Sequence, residues 1–175
     1  MAGVTVSVNR APVLTLWAAV VAQCFRFDWD EALALGRAVA GLNAYSKGAS
    51  LGLFTPAPKE VKERKRKLAE GETLQIDLLG RAITAIHTPD GLRATSKDRP
   101  IASASVERYL DAKFGDALPA VRKAMETLAR SMPPEALAAE AYKLYEEFRP
   151  EVPAGVRGWG AEGRLDTRRI LALAR

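Results

Sequence analysis

Val4, Val6 and Val8 alternate with Thr5 and Ser7, a period-two pattern that predicts a half-buried strand. From Leu14 the period lengthens: Leu14, Trp17, Val20, Val21 and Cys24 follow helical spacing. Asn9 stands where it can cap that helix, and Pro12 falls in the first turn, where a missing N–H costs little. A second helix is predicted from Asp28 to Tyr45, carrying Leu33, Leu35, Val39 and Leu42, with Gly48 as its left-handed stop. Two prolines between Thr55 and Pro58 break the pattern, and Lys59 to Glu72 is charge-dense and apolar-poor. Alternation returns at Leu74, Ile76 and Leu78, then in Ala82 to His87 and Leu92 to Thr95. Gly80-Arg81 and Pro89-Asp90-Gly91 supply turn chemistry between these runs.

The second half reads as helical after a polar loop from Ser96 to Ile101. Ser103 or Ser105 is placed to cap a helix carrying Val106, Tyr109, Leu110 and Phe114, which Gly115 ends. Asp116 is placed to cap the next, with Leu118, Val121, Met125 and Leu128 on one face. A third starts at Pro133 and stops at Pro150. Glu151 to Gly163 is rich in glycine and proline, and Asp166 caps a short terminal helix. The expected class is α+β, predominantly helical with a small antiparallel three-stranded β-meander. The expected organisation is residues 1–58 as a strand and αα-hairpin, 59–72 as a charged helix or linker, 73–149 as meander plus bundle, and 150–175 as tail and terminal helix.

Composition removes more chemistry than it adds. One histidine, His87, and one cysteine, Cys24, exclude zinc-finger and three-histidine metal sites, so no metal is expected. Neither a phosphate-cradling Gly-x-x-x-x-Gly-Lys-Ser/Thr loop nor a Gly-x-Gly-x-x-Gly turn occurs, and no cofactor is expected. The lone cysteine and the lack of an export signal point to the cytoplasm, and no apolar run is long enough for a membrane span. A net charge of +5 favours an anionic partner.

Ala22, Phe25 before the bend, Phe27 after it, Asp28 as cap, and Ala32 and Leu35 beyond follow the order of a helix-turn-helix. On these residues the chain resembles the helix-turn-helix superfamily over residues 21–38. The position where that turn usually has glycine holds Arg26, a residue disfavoured in the left-handed backbone. The resemblance implies DNA binding. Yet the second helix opens with Asp28, Asp30 and Glu31, which suit a helix dipole and repel phosphates. The alternative is an αα-hairpin whose acidic first turn is capping chemistry.

Phosphate contacts are therefore expected elsewhere. Lys59, Lys62, Arg64, Lys65, Arg66 and Lys67 form a basic run interrupted only by Glu60 and Glu63 among charged residues; its alternative is a solvated helix laced with i,i+4 pairs. Arg93, Lys97 and Arg99 follow the Pro89-Asp90-Gly91 turn and are placed as secondary contacts on a wing-like hairpin, against a plain meander. Trp159 between two glycines, with Arg157 and Arg164, either stacks on a base or anchors the tail by burying its ring. Asn43 to Gly48 groups polar side chains at a helix end, where capping is the stronger reading.

Three functions are carried forward. The first is a protein that binds double-stranded DNA through basic phosphate contacts. The second is a non-enzymatic homodimer that covers the apolar Leu14 to Cys24 helix with a second copy. The third is an enzyme built on His87, Asp77 and Asp90; no nucleophile or oxyanion site accompanies them, and no catalytic residue is assigned.

Overall fold

Helix α1 (Arg10–Cys24) is the centre of the helical layer, with the strand before it, the helix after it and the three long helices of the second half packed on it. The computed structural model describes residues 3–46, 72–96, 99–151 and 162–175. Every residue of α1 from Ala11 to Ala22 is buried, as a helix apolar around its whole circumference must be. Its two internal polar groups are satisfied. The Thr15 hydroxyl donates to the Ala11 carbonyl at 2.9 Å, and the Trp17 indole N–H donates to the Ala141 carbonyl at 2.8 Å. Trp17 also meets the Phe148 ring edge-on at 5.3 Å. The cover that α1 needs comes from its own chain, so the argument for a second copy over this helix falls away.

Helix α2 (Trp29–Ser46) crosses α1 where Gly36 faces it. A Cβ on Gly36 would sit against the Thr15 carbonyl oxygen and the Ala19 nitrogen, so only glycine permits the approach. The meander follows as β2 (Thr73–Leu78), β3 (Arg81–Thr88) and β4 (Gly91–Ser96), all antiparallel. The first hairpin turns on Leu79 and Gly80, both with positive φ (50° and 76°), rather than on Gly80-Arg81. That is the backbone a two-residue hairpin needs to match the twist of its strands. The sheet has four strands, not three. Arg99–Pro100 folds back as a two-residue β5 against Thr95 and Ser96, on an edge that tolerates proline.

Helices α3 (Ser103–Phe114), α4 (Leu118–Arg130) and α5 (Pro134–Phe148) complete the bundle. Asn9, Ser103, Ser105 and Asp116 do not cap as expected. Asn9 stands at the α1 N-cap without a side-chain bond, Ala102 and Ala117 occupy the next two N-cap positions, and Asp116 lies in a 3-10 turn. Gly115 does end α3 with a positive φ of 56°. A second sheet pairs β1 (Thr5–Asn9) with β6 (Glu162–Asp166), in register from Thr5 opposite Asp166 to Asn9 opposite Glu162. Asp166 then caps α6 (Thr167–Ala172), accepting from the Arg168 N–H at 2.9 Å, and Ile170 is buried. No described helix is long and apolar enough to cross a membrane.

Candidate functional site

The turn between α1 and α2 is built around two buried rings. Phe25 and Phe27 are each 3% exposed and flank Arg26, whose side chain faces solvent. Their N–H groups both donate to the Ala22 carbonyl, at 2.9 and 3.3 Å. Arg26 itself has a φ of 77°, so the left-handed backbone is adopted without glycine. An L-residue carries a cost of roughly 1–2 kcal/mol there, which burial of the flanking rings offsets.

The first turn of α2 closes on itself and on the sheet. Asp28 accepts from the Glu31 N–H at 2.8 Å, while Glu31 accepts from the Asp28 N–H at 3.0 Å. This is a reciprocal capping box with a second task attached. The other Glu31 oxygen accepts from the Leu92 N–H at 3.0 Å, on the outer edge of β4 that β5 does not cover. Glu31 is 3% exposed, so a single carboxylate caps a helix, pairs a sheet edge and ties the two together. Beside it, the Arg122 guanidinium of α4 lies 3.7 Å from the centre of the Trp29 ring and 3.5 Å from Glu126. A recognition helix needs free side chains at this end. Here Asp28 and Asp30 are the exposed ones, and both are acidic.

Of the predicted cationic residues, Arg93, Arg99 and Arg164 are the described ones, and they stand apart from one another. Arg93 is 7% exposed and donates to the carbonyls of Leu92 (2.9 Å) and Asp90 (3.1 Å), so it braces its own hairpin. An arginine so withdrawn is no exposed phosphate contact, and the hairpin it braces docks on α2 rather than projecting as a wing. Arg99 is exposed on β5 and Arg164 on β6, in different sheets. The backbone of Arg164 also bridges Glu151 in both directions. Lys59, Lys62, Arg64, Lys65, Arg66, Lys67, Lys97, Arg157 and Trp159 lie outside the described residues, as do Gly48 and most of the Gly/Pro-rich tail.

Nor does a catalytic set form from the three polar residues of the meander. Asp77 pairs with Ala82, five positions along β3 from His87, or roughly 16 Å at strand rise. Odd spacing also puts the two on opposite faces of the sheet. His87 keeps a buried Nδ1 without a hydrogen-bond partner among the described residues. No cluster of potential metal ligands occurs among them either. Burial pushes the Cys24 thiol above its ordinary value, so it stays protonated and a poor nucleophile.

The Asp28-x-x-Glu31 spacing carried a capping signal, but nothing in the sequence announced Leu92 as the second partner or Arg122 as the cover for Trp29. No protein-family model, no curated protein and no solved structure matches the chain. Functional argument therefore rests on the chemistry of its own residues.

Proposed function

We propose that the chain is a nucleic-acid-binding protein that holds double-stranded DNA by its phosphates and does not read bases with α2. The observation that carries this reading is the distribution of charge. Residues 59–67 hold six cations and two carboxylates, which accounts for four of the chain's five net positive charges. The remainder is nearly neutral, so a phosphate backbone has one stretch to favour. The exposed side chains of Arg99 and Arg164 are secondary contacts. Closure of the α2 start by Glu31, Leu92 and Arg122 removes base readout from the mechanism while leaving backbone contact intact.

Mobility shifts with random-sequence duplex across a salt series test the reading. Neutralising about four phosphates gives a log–log salt slope of roughly −4. Charge reversal at Arg64, Lys65 and Arg66 should weaken binding at least about tenfold and flatten the slope. No binding at low salt, or binding indifferent to that reversal, overturns the proposal.

A further inference from the structure

A groove of about 700 Å³ lies between the C-terminal half of α2, the sheet and α3. Its lining mixes the apolar side chains of Ala38, Leu42, Ala82 and Ile101 with the hydroxyls of Thr84, Thr95, Ser96 and Ser105, over the buried Ile83 and Val106. Leu42 on its rim is 40% exposed and is the one large hydrophobic side chain among the described residues left so open. Among the described residues a single formal charge faces the groove. The Arg37 guanidinium lies 4.9 Å from the centre of the Tyr109 ring, a contact that fixes its position without neutralising it.

No described residue lining the groove is acidic, and Arg37 forms no ion pair among the described residues. Two of the lining hydroxyls are already engaged: Thr95 donates to the Thr84 carbonyl at 3.2 Å, and Ser105 to the Ala102 carbonyl at 2.8 Å. The Tyr109 phenol makes no hydrogen bond within the described residues, and burial holds it in its protonated, donating form. A groove whose described residues offer apolar side chains, one cation and the Tyr109 hydroxyl is complementary to an apolar body bearing one negative charge.

We propose that this groove binds a small amphipathic carboxylate, with its apolar body on Ala82, Ile101 and Leu42 and its carboxylate on Arg37 and Tyr109. The volume falls within the roughly 300–1,000 Å³ typical of small-molecule sites. A guanidinium presents paired donors in the plane that a carboxylate accepts. A phosphate monoester, with close to two charges, would leave one unbalanced beside the single arginine among the described lining residues. This site is independent of the DNA reading, since it uses none of the residues on which that reading depends.

Titration calorimetry of the full chain with decanoate, below its micelle concentration, tests the assignment. The expected result is saturable one-to-one binding. Arg37→Gln should weaken it roughly tenfold or more, because a hydrogen bond to a charged group is lost. Arg122→Gln, in a cation remote from the groove, should leave affinity unchanged, and decanol and decylammonium should bind at least about tenfold more weakly than decanoate. Circular dichroism of Arg37→Gln establishes that the variant is folded. Absence of saturable binding overturns the proposal, and so does equal affinity of a folded Arg37→Gln variant or of decanol.

Discussion

The two ends of α2 differ in what their polar groups are doing. At the N-terminus Glu31 is 3% exposed and engaged by two separate backbone N–H groups, while Trp29 is roofed by Arg122. Toward the C-terminus, Arg37 rests on a ring without a carboxylate among the described residues, and Leu42 is exposed beside a groove. The helix-turn-helix resemblance directs attention to the first end, yet its Glu31 is spent on the fold and the side chains it exposes, Asp28 and Asp30, are acidic. The cation and the exposed apolar side chain that the proposed groove uses lie at the other end.

That contrast breaks most readily at Glu31. Glu31→Ala removes half of the capping box and strands the buried Leu92 N–H, together costing about 3 kcal/mol. For a chain of this length the melting temperature should fall by roughly 6–12 °C. Glu31→Gln keeps an acceptor and should lose less than half as much. Asp30→Ala, on an exposed carboxylate one residue away, should stay within about 0.5 kcal/mol. If denaturant melts give Glu31→Ala and Asp30→Ala the same stability, the closed end is not closed.

A smaller effect of opposite sign is expected at the turn. Arg26→Gly relieves the cost of a left-handed L-residue while adding freedom to the unfolded chain. The balance is a gain of about 0.5–1 kcal/mol, read as a rise in the denaturant midpoint at unchanged slope. A loss of stability would mean that the Arg26 side chain holds the hairpin more firmly than its backbone strains it.

Legibility in the sequence followed the range of the interactions. The α1–α2 hairpin was readable because its signals are local: phenylalanines on both sides of the bend, a cap at Asp28 and helical spacing beyond. The turn at Pro89-Asp90-Gly91 was readable for the same reason. The β1–β6 sheet was not, because Glu162–Asp166 reads Glu-Gly-Arg-Leu-Asp, with one large apolar residue and a partner strand at the far end of the sequence. Of its two strands only β1, with Val6 and Val8 continuing the alternation from Val4, carries a period to detect. Arg93 shows the limit for sites: composition counts a charge but cannot tell whether the guanidinium meets solvent or curls onto its own turn. Likewise the apolar circumference of α1 announced that it must be covered, and only the tertiary structure supplied the cover from the same chain.

The smallest expected effect probes how dry the open end of α2 is. Burial raises the Tyr109 phenol above the ordinary tyrosine value, and the nearby Arg37 charge pulls it down by less. Between the unfolded value near 10 and the higher folded one, the unfolded chain has released the proton and the native chain has not. Stability therefore holds below about pH 10 and declines as pH rises above it. Arg37→Gln removes the opposing charge, so Tyr109 should titrate higher still and the alkaline decline should extend further. With the ring half-exposed, solvent screening keeps the change under about 1 kcal/mol. Ultraviolet difference titration against Tyr109→Phe isolates this phenol from the other tyrosines. A value at or below that of free tyrosine would mean that water fills the groove around the ring, and the contrast between the two ends would then rest on Leu42 alone.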